Sequence, residues 1–158
     1  MRRPREERAA AAKVPNVKEE LASALAAEEA AIWAYGLIGV HLKEGSEQDQ
    51  ARATEDLHRA RRDDLVEQLA ALKAVTAPTP AGYQLPFPVE DRATALKLAI
   101  QIEDGVAQAW RVLLPVTESA QRAGALSALT DSAVRATKWR RLAQVTPLTL
   151  IFPGRPAA

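Results

Sequence analysis

Four long segments of the chain repeat their apolar residues in alternating steps of four and three, and this spacing is what most constrains the fold. In an α-helix such steps place side chains on one stripe, which packs against neighbouring helices in a left-handed bundle. The first segment runs from about residue 17 to 42, and its stripe is Leu21, Leu25, Glu28, Ile32, Tyr35, Gly39 and Leu42. The sequence therefore predicts an all-α fold.

The other three predicted helices cover about 47–75, 91–114 and 119–144. Their stripes are, in order, Ala51, Glu55, His58, Arg62, Leu65, Leu69 and Leu72; Leu96, Ala99, Glu103, Val106, Trp110 and Leu113; and Leu126, Leu129, Ala133, Ala136 and Arg140. The short break at Gly45 and Ser46 predicts that the second helix runs antiparallel beside the first. Four prolines in segment 78–88 exclude a helix there and favour an extended course. We expect a long Pro-rich crossover between helices two and three.

A chain of 158 residues is most simply one domain. We expect a flexible, charged N-terminal arm over residues 1–16. Residues 17–158 should form the four-helix bundle, with the apolar tail 148–154 packed on it.

Charge and composition exclude several classes of function. Because 21 basic residues face 20 acidic ones, the net charge is only +1, which argues against nucleic-acid binding. The absence of cysteine excludes disulfides and thiolate metal sites. No stretch approaches the roughly 20 apolar residues of a membrane span, and the charged start lacks the apolar core of a secretory signal. We expect a cytoplasmic protein without a membrane partner.

Three of the stripes carry a carboxylate near mid-helix, namely Glu28, Glu55 and Glu103, and His58 lies one turn after Glu55. Buried carboxylates are costly unless they are paired, hydrogen-bonded or bound to metal. One explanation is therefore a metal site built from these four residues, with oxygen ligands and one imidazole.

The other explanation is an ion-pair network, in which Arg62 and Arg140 neutralise Glu28 and Glu103. Arg62 also competes with a metal for the same carboxylates. Tyr35, seven residues after Glu28, is expected to be a core tyrosine bonded to a carboxylate. Residue types alone leave both explanations open.

These residues resemble the ferritin-like carboxylate bundle, and more closely an uncharacterised ferritin-like domain family of bacterial proteins. In that superfamily helices one and three each contribute a Glu, and helices two and four each contribute a Glu-x-x-His pair. The matching strings span about residues 18–154 and are Ala26-Ala27-Glu28-Glu29-Ala30-Ala31-Ile32-Trp33-Ala34-Tyr35-Gly36, His58-Arg59-Ala60-Arg61-Arg62-Asp63, Leu85-Pro86-Phe87-Pro88-Val89, Ile102-Glu103-Asp104 and Phe152-Pro153-Gly154.

The fourth helix departs from the superfamily pattern. Asp131 followed by Val134 has the spacing of the missing pair but the wrong second residue, and Asp131 should point away from the axis. Half of the second metal's ligands are therefore absent, which argues against a complete di-iron centre.

The resemblance implies a ferritin-like fold. Our first functional hypothesis is a non-enzymatic ferritin-like domain protein, a homodimer, whose central Glu/His/Arg cluster is structural or binds a small-molecule ligand without a cofactor. The alternative is an iron- or manganese-dependent oxidoreductase or iron-handling protein that uses Glu28, Glu55, His58 and Glu103. A third hypothesis is a cofactor-free enzyme with a buried glutamate as general base. Whether the chain is an enzyme stays open at this point.

Overall fold

The computed structural model describes residues 16–156, and this part of the chain contains four α-helices and no strand. The helices are α1 (Val17–His41), α2 (Ser46–Ala71), α3 (Arg92–Leu113) and α4 (Ser119–Ala143), with one turn of 3-10 helix at Leu114–Val116. The all-α prediction is confirmed. Most of the arm predicted for residues 1–16 lies outside the described residues, although Asn16 caps α1 by accepting a hydrogen bond from Lys18 N at 3.0 Å.

Local signals account for most helix ends. The Asp91 side chain accepts from Thr94 N, and the Thr94 hydroxyl faces the Asp91 backbone N–H, so a capping box starts α3. The second helix ends at Ala71, earlier than the residue 75 expected from the stripe, and Lys73 then adopts a positive φ of 51°. Gly45 is the N-cap of α2, and Ser46 is its first helical residue.

The apolar core consists of two clusters of buried side chains, one towards each end of the bundle. One cluster joins the beginning of α1 to the ends of α2 and α3; its largest members are Leu21, Leu25, Leu65, Leu69, Trp110 and Leu113. The other joins the end of α1 to the beginnings of α2 and α3 and includes Tyr35, Ile38, Leu42, Ala51, Leu96, Leu98 and Trp139. The polar residues described below lie between the two clusters, so apolar packing at both ends holds them in place.

The inward face of α4 differs from the predicted one. Its buried residues are Ala125, Ala128, Ser132, Arg135, Ala136, Trp139 and Arg140, whereas Leu126 is 52% exposed. The predicted stripe followed the large aliphatic residues. Trp110 already fills the core cluster next to the start of α4, so that helix presents small residues there. The first part of the predicted stripe, from Leu126 to Ala133, is therefore one residue out of register, whereas Ala136 and Arg140 are buried as predicted.

One helix, α1, is long and apolar enough to cross a bilayer on length and composition alone, contrary to the expectation from the sequence. The core helix of a bundle has the same composition. The buried face of α1 contacts both α2 and α3, and it carries Glu28 and Tyr35 in the interior.

We predict that Gly154→Ala destabilises the fold. Gly154 has a φ of +72°, and an added Cβ would lie 2.5 Å from the carbonyl oxygen of Ala107 on α3. Both the strained backbone and the clash act on the folded state, so the free energy of unfolding should fall by about 1–3 kcal/mol in urea titrations.

The matched control is Gly105→Ala, two residues from Ala107. An added Cβ there meets nothing within 4 Å, and the position is inside α3. This variant should gain about 0.5–1 kcal/mol. Equal effects of the two substitutions would contradict the packing of Gly154 on α3.

Candidate functional site: a buried carboxylate, imidazole and guanidinium cluster

Five fully or almost fully buried polar side chains from all four helices meet between the two core clusters. We call them the central cluster: Glu28 and Tyr35 from α1, His58 from α2, Glu103 from α3 and Arg135 from α4. Glu28 and Tyr35 are seven residues apart, so two turns of one helix place both on its inner face.

The imidazole of His58 lies between two carboxylates. Its Nδ1 is 2.5 Å from Glu28 Oε2, and its Nε2 is 3.3 Å from Glu103 Oε1. Ionised carboxylates only accept hydrogen bonds, so a ring that satisfies both must be protonated on both nitrogens. Burial on its own lowers the pKa of His58, but the hydrogen bonds to Glu103 and Glu28 outweigh it, and the pKa is raised.

Glu103 has the most crowded carboxylate oxygen in the cluster. Its Oε1 accepts from the Tyr35 hydroxyl at 2.7 Å and from Arg135 Nε at 3.0 Å, besides its contact with His58. Burial alone raises the pKa of Glu103, but the bond to His58 and the charge of Arg135 outweigh burial and lower it. The other oxygen, Oε2, is buried without a hydrogen-bond partner.

Two tryptophans orient the remaining acceptors. Trp110 Nε1 donates to Glu28 Oε1 at 2.5 Å, and Trp139 Nε1 donates to the Tyr35 hydroxyl at 2.8 Å. Burial and the neighbouring Glu103 carboxylate raise the pKa of Tyr35 well above its ordinary value, so its hydroxyl keeps its proton and donates.

The formal charges of the central cluster cancel. Glu28 and Glu103 contribute two negative charges, and the His58 imidazolium and the Arg135 guanidinium contribute two positive ones. Buried charges persist when they are paired and hydrogen-bonded in this way. The arrangement pairs both carboxylates with basic side chains inside an apolar bundle.

Arg135 is the cluster member that sequence reasoning missed. Its Nη2 donates to Ser132 Oγ at 3.0 Å, one turn earlier on α4. Ser132 and Arg135 thus have the three-residue spacing expected of a Glu-x-x-His pair, but they are one position later than the Asp131 and Val134 considered. A stripe anchored on the small residues Ala125 and Ala128 would have found them.

Two predicted site residues are not brought to the cluster. Glu55 pairs with Arg59 one turn along α2. Arg62 is on the surface side, with Nη2 2.8 Å from Asp63 Oδ1, because the inward register of α2 passes through His58 and Leu65. Arg140 neutralises Asp104 rather than Glu103, at 2.5 Å. Glu103 does have charged partners, but they are His58 and Arg135 rather than the Arg62 or Arg140 of the ion-pair explanation.

The residue next to Arg62, Arg61, reaches the cluster from the side. Its side chain spans from α2 to α4, with Nη2 2.7 Å from Asp131 Oδ2 and Nη1 3.5 Å from Ser132 Oγ. Two guanidinium groups, those of Arg61 and Arg135, therefore share the hydroxyl of Ser132.

The carboxylate and imidazole groups of the central cluster are engaged with one another and with the protein's own cations. Within residues 16–156, no group of three or more His, Asp or Glu side chains is arranged to hold one. The two nitrogens of His58 point to different carboxylates, so the ligands do not converge on a point. Both oxygens of Glu28 are engaged, and Arg135 lies against Glu103 as a competing cation.

The fold and the cluster together define a class: an all-α four-helix protein with a neutral carboxylate, imidazole and guanidinium network in its core. The chain belongs to the family described as Domain of unknown function (DUF4439), whose model matches residues 20–157. Its fold is similar to the crystal structure of a conserved hypothetical protein, rv2844, from Mycobacterium tuberculosis. The two chains are 38% identical with a TM-score of 0.75, over 80% of this chain and 96% of that one. No curated protein matches the chain.

We predict that Arg135→Leu destabilises the protein by about 3–5 kcal/mol, because it leaves Glu103 buried without its guanidinium partner. Chemical denaturation measures the loss. The control is Arg62→Leu, whose guanidinium is partly exposed and pairs with a neighbour on the surface, and it should change stability by no more than about 1 kcal/mol. A larger loss in the control than in Arg135→Leu would reverse the assignment of the two arginines.

We also predict a loss of stability at alkaline pH that originates in His58. The folded-state pKa of His58 is raised above its ordinary value of 6.5. Its stabilising contribution is therefore complete below that value and is lost as the pH rises through the folded-state pKa. The free energy of unfolding should therefore fall as the pH rises above about 6.5, and His58→Gln should lose most of this slope. An unchanged slope in His58→Gln would place its origin elsewhere.

Proposed function

We propose that this chain is a ferritin-like bundle in which the protein's own cations take the place of metal ions. Its central cluster is then structural or supports binding of a small ligand, and the chain is not a metal-dependent oxidoreductase. The observation that carries the proposal is the contact of Arg135 Nε with Glu103 Oε1 at 3.0 Å. It puts a guanidinium beside a carboxylate that would serve as a metal ligand in the ferritin-like pattern.

A crossover between α2 and α3 is part of this ferritin-like proposal. Three contacts along the helices support it: Glu47 with Arg92 at their beginnings, His58 with Glu103 near their middles, and the common core cluster of Leu65, Leu69 and Leu113 at their ends. These pairs fit two parallel helices, which a connection along the length of the bundle must join. Leu85, Phe87 and Val89 of that connection pack on the core cluster at the beginning of α3.

A homodimer and a cytoplasmic location remain proposals as well. In favour of a dimer, several apolar side chains are exposed, among them Val134 on α4 and Ile151 and Phe152 in the tail. Exposed apolar groups on one region of a surface are typical of protein contacts.

The metal content of the protein tests the proposal. Protein purified without chelator, and again after anaerobic loading with iron or manganese and gel filtration, should retain far less than one metal ion per chain. The physical reason is that two internal cations already neutralise the carboxylates. Elemental analysis measures the ratio.

A gain-of-function variant sharpens this test. Ser132→Glu with Arg135→His creates the Glu-x-x-His pair on α4 and removes the competing guanidinium. It should retain iron after the same loading if its circular dichroism matches that of the parent. Near-stoichiometric metal in the unmodified protein would overturn the proposal. It would favour the alternative of an iron- or manganese-dependent protein using Glu28, Glu55, His58 and Glu103, for which the free oxygen Glu103 Oε2 is the supporting observation.

A further inference from the structure

An open groove separates α2 from α4. The pairs α1 with α2, α1 with α3, and α3 with α4 pack along their lengths, whereas α2 and α4 meet through long side chains. These contacts are Arg61 with Asp131 and Gln68 with Gln121. The space between the two helices has a volume of about 720 Å³, which is within the range of about 300–1,000 Å³ typical of ligand sites.

The floor and walls of the groove are mainly apolar or small. Leu21, Trp110 and Leu113 lie beneath the floor as buried core residues, and Leu57, which is 48% exposed, lines the groove from α2. The α4 wall includes Gly124, Ala125 and Ala128, whose small side chains keep the groove wide. From Ala120 to Asp131 the α4 wall extends roughly 16 Å at 1.5 Å per residue. The groove is therefore long enough to hold an extended apolar chain.

Arg61 is the one cation lining the groove among the described residues, and it lies on the cluster side. Its side chain is only 14% exposed, while that of its partner Asp131 is 52% exposed. Burial and the nearby Arg135 charge lower the pKa of Arg61, so its charged form gains from a close anion. The Asp131 carboxylate supplies that anion from the solvent side and can return to water at little cost.

We propose that this groove binds an amphipathic carboxylate, whose apolar chain lies between Leu57 and Ala60 on α2 and Gly124 on α4 and whose carboxylate replaces Asp131 on Arg61. A guanidinium fork matches a carboxylate through two parallel hydrogen bonds. This inference names the chemical class of the small ligand in the proposed function, and it therefore rests on that proposed function. It makes no use of the metal content of the cluster.

The charges at the rim also bear on this choice of ligand. Asp64 lines the groove as well, but it is exposed and accepts a hydrogen bond from Gln68 Nε2 at 3.0 Å. A cationic amphiphile would gain little from the exposed carboxylates of Asp64 and Asp131, since exposed ion pairs are weak. The buried guanidinium of Arg61 therefore favours an anion.

The probe for this site is decanoate, used below the concentration at which it aggregates, with binding to the full chain measured by calorimetry. Decanoate should bind at one site. Decanol and decylamine, which have the same chain and no carboxylate, should bind at least about tenfold more weakly, as expected when a charge-assisted pair is lost. Absence of decanoate binding, or equally tight binding of decanol or decylamine, would overturn the proposal.

Three variants place the ligand in the groove. Arg61→Gln should weaken decanoate binding by about ten- to a hundredfold, whereas Asp131→Asn should tighten it because the internal competitor is gone. Gly124→Leu should weaken binding by filling the groove while the fold is kept, since an added Cβ there meets nothing within 4 Å. The matched control is Arg59→Gln, an exposed α2 arginine paired with Glu55, which should bind decanoate like the parent.

The variants also separate this proposal from the proposed function. Unchanged decanoate affinity in both Arg61→Gln and Gly124→Leu would remove the groove as the site. Metal content, measured on the same samples, decides the proposed function independently. Metal-free protein that does not bind decanoate would therefore reject only the ligand.

Discussion

The imidazole of His58, held between Glu28 and Glu103, is the interaction on which the rest of the interior depends. It connects α1, α2 and α3 through one ring, and Arg135 adds α4 through the same Glu103 oxygen. Without these cations, two buried carboxylates would each carry a desolvation cost of several kcal/mol. The apolar clusters on either side exclude water, which makes the cost of an unpaired charge high and also strengthens each pairing.

Sequence periodicity was sufficient for three of the four helices because their stripes contain large apolar residues. Leu21 and Leu25 on α1, and Leu65 and Leu69 on α2, are buried as predicted. On α4 the large aliphatic residues do not mark the buried face. Leu126 faces outward, and Ala125 and Ala128 face the core, because the bulk of Trp110 leaves little room there. Periodicity shows that a helix has an apolar face. Which of two adjacent stripes faces the core depends on how much of the core volume the side chains of the other helices already fill.

The site was partly predictable for the same reason. Glu28, Tyr35, His58 and Glu103 are on stripes that were read in the correct register, and the structure brings them together. Arg135 was hidden by the shifted stripe of α4. Glu55 and Arg62 were predicted to face inward because steps of four and three along a helix do not distinguish neighbouring positions. The side chains of Arg59 and Asp63 offer them charged partners outside the core. Charge partners outside a stripe are a signal that the stripe alone does not contain.

The gap between α2 and α4 has a consequence for how the bundle moves. Helices α1 and α3 each pack against two neighbouring helices, whereas α2 packs in that way only against α1, and α4 only against α3. Besides its packing on α1, four sets of contacts among the described residues hold α2. His58 contacts Glu103 at its centre, and Glu47 pairs with Arg92 at its beginning. The core leucines pack near its end, and the side chains of Arg61 and Gln68 cross to α4. Outward rotation of α2 about its contact with α1 would therefore break few contacts besides these. Loss of a proton from the His58 imidazole would weaken the contact that holds the middle of α2. Outward rotation of α2 would then open the interior between α2 and α4.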